Sequence, residues 1–301
     1  MSRLTNRLVP ILGLSGLLAA LAVVPAQAAS ASSTAAAQTC TGTAAAPGVL
    51  TGTIPGNVIV KGVCAVNAGP AVVKGNLTIA PGGAVVAAFA LNDKTHVGFS
   101  SLTVNRNVVV DKGATLVLGC EANAFPCVDD TGKPPTLQSR GTIGGNLFAT
   151  GALGVLVHNS SITGAVSEQG GGGGLACTPK GIFKLFKSPV FSDYEDNVVG
   201  DSLIISGLRS CFLGVFRNAV HGSLIVTTNK MADPDANEVA SNNVNRSLNC
   251  RGNTPAIQYG DSGGIPNVVS GQATGQCSFS LRLPNPPPNG PLEPIAVRPI
   301  P

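Results

Sequence analysis

Short apolar alternation recurs along the chain in nine phrases: IPGNVIV, VKGNLTI, VNRNVVV, IGGNLFA, ITGAVSE, VGDSLII, VHGSLIV, VNRSLNC and VSGQATG. The third residue of each serves as an anchor: Gly56, Gly75, Arg106, Gly145, Gly164, Asp201, Gly222, Arg246 and Gly271. Two positions before the anchor stands a β-branched aliphatic in every phrase, from Ile54 to Val269. Two positions after it stands an apolar residue in every phrase, from Val58 to Ala273. The residue directly after the anchor is nearly always small or polar, as at Asn57, Asn76, Asn107 and Asn146. Period-two alternation over so few residues predicts short strands, one face in and one face out.

The distances between anchors are 19, 31, 39, 19, 37, 21, 24 and 25 residues. The short ones suit one coil of a β-solenoid, with about three short strands and their bends, and lie within the periods of known repeat architectures. The three long ones fit either coils with loop insertions or pairs of coils of which one is degenerate. The chain therefore predicts an all-β protein, a right-handed parallel β-helix (β-solenoid) with loop insertions. In such a coil the apolar residues of equal phase stack on one another. The boundaries expected are a lead-in at 30–46, a solenoid at 47–283 and a Pro-rich tail at 284–301, with insertions at 84–100, 120–133 and 168–190. The lead-in is rich in Ala, Ser and Thr and reads as flexible. The tail, PNPPPNGPLEPIAVRPIP, cannot enter a sheet interior.

Equal phase also predicts contacts. Asn197, Asn218, Asn242 and Asn267 each lie four positions before an anchor, so their amides are expected to form a hydrogen-bonded ladder that stabilises a turn. Cys250 lies four positions after its anchor and Cys277 six after the next. Cys177 and Cys211 are similarly near in phase, at thirteen and ten. Cys120 and Cys127 can close a local loop, which leaves Cys40 and Cys64 to tie the lead-in to the first coil. Sequential pairing of all eight cysteines follows.

That pairing agrees with the N-terminus. Arg3 and Arg7 precede an apolar run from Leu8 to Val24, followed by Ala26-Gln27-Ala28, a small-x-small cleavage pattern. Residues 1–29 read as a secretory signal peptide. The mature chain is expected to be secreted, extracellular or envelope-associated, with no membrane span. An even cysteine count in an exported chain reads as disulfides, whereas zinc would want CxxC pairs. Charge is sparse, at 11% of residues with a net +4, which excludes a nucleic-acid binder with a clustered basic face. Lys180, Lys184 and Lys187, interleaved with Phe183 and Phe186, read as part of a loop insertion.

Candidate chemistry is thin. Gly260-Asp261-Ser262-Gly263-Gly264 spells the segment around the nucleophile of trypsin-like proteases. No histidine stands in the matching context, and the segment falls where a turn belongs. His96, His158 and His221 lie ten, six and one positions before their anchors, so they do not converge as a metal triad. Asp233, Asp235 and Asn237 resemble the acidic half of a calcium loop, with Glu238 where glycine is usual. The stretch Ser192 to Asp196, SDYED, lies one coil earlier and could share that acidic edge. Apart from calcium, no cofactor is expected. A carbohydrate-active enzyme, a polysaccharide lyase or glycoside hydrolase, would need convergent carboxylates. Asp129-Asp130 is the best pair on offer.

The run from NVVGDSLIISG through CRGNTPAIQYGDSGGIPNVVSGQATGQC resembles a group of exported bacterial proteins, mostly from actinomycetes. These repeat N-x-V-x-G-N-L and end in a Cys–GNTPA–GDSGG–N-x-V-x-G–GQC module. The resemblance covers most of residues 50–277. It implies a β-helix-like fold and an extracellular setting, and it carries over no activity and no functional residue. The expected role is structural or adhesive in the envelope or matrix, with cell-wall polysaccharide or another envelope protein as partner.

Overall fold

The computed structural model describes residues 36–122, 124–259 and 265–282. The expected signal peptide at 1–29, the expected Pro-rich tail at 284–301 and Ser262 lie outside the described residues. The anchor bend explains the architecture. Each phrase leaves one strand, turns at the anchor and enters the next, so the residue before the bend and the residue after it belong to different sheets. Three long parallel sheets result, which we number I to III, beside a short two-stranded one that pairs Arg209–Ser210 with Lys230–Met231. Sheet I has ten strands, from Gln38–Cys40 to Ala273–Gly275. Sheet II has eight, from Gly48–Val49 to Glu238–Ala240. Sheet III has ten, from Gly52–Ile54 to Leu281–Arg282. The chain visits the sheets in rotation as far as Leu248–Arg251, beyond which it has no further sheet II strand among the described residues, and each strand pairs with its counterparts one coil above and below. This is a parallel β-solenoid.

The two apolar columns of the repeat are the interior. Ile54, Val73, Val104, Ile143 and Ile162 pair in unbroken register on sheet III. Val58, Leu77, Val108, Leu147 and Val166 do the same on sheet I. All of these are buried in one continuous core. Burial of each such side chain is worth about 1.5–3 kcal/mol. The long anchor intervals are single coils with insertions: Leu77 pairs directly with Val108, Val108 with Leu147, and Val166 with Leu203.

The outward column of sheet I runs Thr39, Ile59, Thr78, Val109, Phe148, Ser167, Ile204, Ile225, Asn249 and Thr274. It carries no charge. At the adjoining corner Asn57, Asn76, Asn107 and Asn146 form a ladder: each Oδ1 accepts the backbone N–H of the next coil at 2.8–3.0 Å.

The expected ladder is also present. Asn197, Asn218, Asn242 and Asn267 are fully buried or nearly so. Each donates Nδ2–H to the Oδ1 of the next, at 3.0, 2.9 and 2.8 Å. A third ladder links Asn229, Asn253 and Gln276. The four bridges join Cys40–Cys64, Cys120–Cys127, Cys177–Cys211 and Cys250–Cys277, with Cα separations of 6.5, 5.0, 4.7 and 5.3 Å. These lie within the usual disulfide range.

One boundary needs correction. The solenoid begins at Gln38, inside the expected flexible lead-in, because Gln38–Cys40 pairs with Val58–Val60. Composition misled here. An edge strand needs few apolar residues when one of them, Cys40, turns into the core and is bonded to Cys64. Among the described residues no helix is long and apolar enough to cross a membrane.

Candidate functional site

Sheet II differs from the other two because, from Ala84–Ala87 onward, both of its faces are largely buried. Its inward residues, such as Val155, Val157, Val215 and Val239, belong to the solenoid core. Its outward column is apolar at first, with Val86, Val117 and Leu156 in register. It then turns polar: Leu156 pairs with Asp193, Asp193 with Gly214, and Gly214 with Glu238. One row further along the strands, His158 pairs with Glu195 and Glu195 with Phe216. The insertions cover this face. The Lys/Phe insertion forms a single helical turn, Phe183–Phe186, whose Phe183 is buried against Leu156 and Val190 in a second apolar cluster.

Over the polar half lies the loop closed by Cys120–Cys127. A backbone bond from Glu121 N–H to Phe125 C=O, 2.8 Å, tightens it. It delivers two side chains. The Phe125 ring stacks on the His158 imidazole with centroids 4.4 Å apart and planes 11° from parallel. Glu121 brings its carboxyl beside His158 and Glu195, so that one ligand atom from each lies within 4.8 Å of the others.

The corner after each sheet II strand supplies the counter-charge. Asn159, Asp196, Arg217 and Ser241 occupy the same position in successive coils, all with left-handed backbone at φ 48–60°. Consecutive coils therefore stack Asp196 against Arg217. Arg217 Nε–H donates to both Asp196 oxygens at 2.9 Å, and Nη2–H reaches Asp196 at 2.5 Å and also Glu195 Oε1.

His158 is 0% exposed. Its Nδ1 lies 3.5 Å from Glu195 Oε2 and its Nε2 3.9 Å from Asp193 Oδ2. Neither nitrogen has a hydrogen-bond partner, and neither do Glu121 Oε1 and Asp193 Oδ1. Four carboxyls, Glu121, Asp193, Glu195 and Asp196, thus crowd around one guanidinium and one imidazole. The protonation pattern follows. Burial and then the nearby Asp196 and Glu195 push Glu121 up to about 8. Burial, then Glu195, pushes Asp193 well above the usual carboxylate range. Burial also acts on Glu195, but His158 and Arg217 outweigh it and hold Glu195 below its ordinary value.

A second buried carboxyl lies inside the solenoid. Glu168 takes a place in the inward column of sheet I between Ala149 and Ile205. Ser192 Oγ–H and Tyr194 O–H donate to it at 2.8 and 2.9 Å. Burial pushes it up to about 7 despite these two donors.

The residues singled out from sequence take other roles. Asp233, Asp235 and Asn237 lie on one turn and differ in exposure. Asp233 Oδ1 accepts the Asp235 backbone N–H at 3.0 Å, closing a turn. Asp235 is exposed while Asn237 points inward, donating to Pro255 C=O at 2.8 Å. Asn237 has a left-handed backbone, φ 66°. Asp129 lies near the Asp93 carboxyl, which burial and then Asp129 push up, but both Asp129 and Asp130 are occupied by backbone N–H groups. Asp129 accepts the N–H groups of Ala90 and Leu91 and so ties two insertions together, while Asp130 accepts those of Gly132, Thr136 and Leu137 and closes its own loop. SDYED does form an acidic edge, and Glu238 acts on Asp193 across it.

The register test applied to the histidines would have found half of this site. His158 lies six positions before Gly164, and Glu195 lies six before Asp201. Equal phase places them on neighbouring strands. Glu121 and Phe125 come from an insertion, which has no phase. No family model matches the chain, and neither the curated proteins nor the solved structures contain a match to it.

Proposed function

We propose that this chain is an exported structural or adhesive β-solenoid of the cell envelope or extracellular matrix, and that cell-wall polysaccharide is the partner it grips. The observation that carries this reading is the outward column of sheet I. It is uncharged and reaches solvent in all ten strands, with Thr39 at one end and Thr274 at the other. At about 4.8 Å per strand it extends for roughly 45 Å. A row of Ile, Val, Thr and Phe, interrupted by Ser167 and Asn249, suits the regular apolar faces of packed sugar chains better than it suits a soluble ligand, which would need a concave site. The disulfides and Asn ladders keep such a face rigid at little entropic cost on binding.

Sedimentation with insoluble peptidoglycan tests it. The protein should pellet with the polymer, and Ile204→Lys with Ile225→Lys should weaken binding at least tenfold while leaving thermal unfolding nearly unchanged. A wild type that stays in solution, or a double variant that pellets equally well, would overturn the reading.

A carbohydrate-active enzyme is the second reading, and one observation favours it. Phe125 lines an apolar cavity of about 350 Å³ with Leu156, Phe186 and Phe191, and its ring also covers His158. The carboxyl cluster thus adjoins an aromatic pocket of the kind that stacks on sugar rings. Release of reducing ends from a polysaccharide, abolished in Glu195→Gln, would favour this reading over the first.

A further inference from the structure

The cluster above sheet II is over-supplied with carboxyls and holds a fully buried imidazole with no hydrogen bond at either nitrogen. Buried polar groups are almost always paired, and leaving one unpaired costs about 1–3 kcal/mol. Here four such atoms, both His158 nitrogens, Glu121 Oε1 and Asp193 Oδ1, gather in one place. From this geometry we propose that Glu121, His158 and Glu195 bind one divalent transition-metal ion of the zinc type. The inference does not depend on the adhesive role.

Three features of the site support it. Two ligands at 2.0–2.2 Å from one ion lie no more than about 4.4 Å apart. The three ligand atoms lie within 4.8 Å of one another, so no pair exceeds that limit by more than a few tenths of an ångström, and His158 Nδ1 is 3.5 Å from Glu195 Oε2. That separation is long for a hydrogen bond and ordinary for two ligands of one ion.

The surroundings also match what metal ligands need. A ligating histidine usually presents its other nitrogen to a carboxylate, which fixes the ring. Asp193 Oδ2 stands 3.9 Å from His158 Nε2, and Phe125 holds the ring plane. Arg217 occupies Glu195 Oε1 and leaves Oε2 facing the imidazole. The added positive charge would relieve the carboxyl excess.

The donor set decides the class of ion. One imidazole nitrogen with two carboxylates suits zinc and its neighbours, whereas calcium takes six to eight oxygens. The ion would join the disulfide-closed loop to two coils, acting as a clasp on the insertion.

Metal titration tests the site. The purified protein is stripped with a chelator, dialysed and titrated calorimetrically with Zn²⁺, then with Mn²⁺ and Ca²⁺. One Zn²⁺ per chain is expected, bound more tightly than Ca²⁺, with a higher unfolding temperature in its presence. Glu121→Gln should weaken Zn²⁺ at least tenfold, and His158→Gln should abolish the one-to-one binding. Asp233→Asn should bind as wild type, which excludes the acidic turn at 233–237 as the source. Should His158→Gln not fold, Glu121→Gln still decides, since its side chain keeps its size and sits on a covalently closed loop. Absence of stoichiometric Zn²⁺ binding, or Glu121→Gln binding as wild type, would overturn the proposal and leave His158 as a buried partner of its carboxylates only.

Discussion

The Asn218 amide donates to Asn242 Oδ1 at 2.9 Å, and the backbone N–H of Asn218 donates to the same oxygen at 3.0 Å. One side-chain oxygen thus satisfies two donors of the coil before it. The Asn218 amide also reaches the Tyr194 carbonyl at 2.8 Å. Asn218→Leu therefore takes partners from Asn197 and Tyr194 in the coil before and one of two donors from Asn242 in the coil after. A loss of about 1–3 kcal/mol is expected, read as a lower urea midpoint. Asn267→Leu should cost less, because no further ladder asparagine lies beyond it. Equal losses at the two positions, or none at Asn218, would contradict the ladder's energetic role.

Glu168 makes stability depend on pH. Its carboxyl has an ordinary value of 4.5 in a free chain and is pushed up to about 7 in the fold. A raised value means that the folded state holds its proton where the unfolded state has lost it. The contribution is fully present below about 4.5 and is lost as pH rises through about 7. The shift corresponds to a few kcal/mol, roughly 3 at most. Glu168→Gln keeps an acceptor for Tyr194 and removes the titration. The stability difference between variant and wild type should therefore grow in favour of the variant from pH 5 to pH 8. A difference that stays constant across that range would show that Glu168 does not titrate in this way.

What was legible in the sequence was whatever has phase. Ile54 and Val73 announce sheet III, Val58 and Leu77 announce sheet I, and Asn197 to Asn267 announce a ladder. Each repeats at a fixed offset from a bend, and stacking converts offset into contact. The second ladder, Asn57 to Asn146, was visible as letters but not as a network, since position alone does not show an oxygen turned toward the next coil. Glu168 was hidden because it breaks its own column: a carboxyl among Ala149, Ile205 and other apolar residues reads as solvent-facing until Ser192 and Tyr194 are seen to cross the interior to it. Glu121 was hidden because it lies in an insertion, whose path over sheet II is set by the Cys120–Cys127 bridge and by Asp129 on the backbone of Ala90 and Leu91.

The Cys120–Cys127 bridge should therefore matter locally. Replacing both cysteines with serine opens a loop with a sequence separation of 7. Chain entropy for so short a loop gives about 2–3 kcal/mol. Both sulfurs are buried in the apolar cluster over sheet II, so the serines lose packing as well. Limited proteolysis of the double variant should cut first between residues 119 and 141 while the rest of the solenoid stays intact. Cleavage spread over the whole chain would show that this bridge supports the solenoid rather than its insertion.

Gly214 offers the sharpest test of the outer face of sheet II. It sits at the centre of the strand Phe212–Phe216, between Asp193 and Glu238 in register. It is not among the glycines with positive φ, so its backbone is open to any residue. Space is the constraint. A Cβ there would run into the Asp193 carboxylate and the rings of Phe216 and Phe212. Gly214→Ala should cost about 1–3 kcal/mol by overpacking. Gly170 is the opposite case: φ is 63° and nothing lies within 4 Å of the added carbon, so Gly170→Ala pays only for its left-handed backbone, about 1–2 kcal/mol. A double-mutant cycle separates the two causes. Asp193→Ala removes the nearest obstacle, so Gly214→Ala should cost less in that background, with a coupling of at least about 0.5 kcal/mol. Gly170→Ala should cost the same in both backgrounds. Strict additivity at Gly214, measured by denaturant unfolding, would mean that the Asp193 carboxylate does not lie over this glycine in solution.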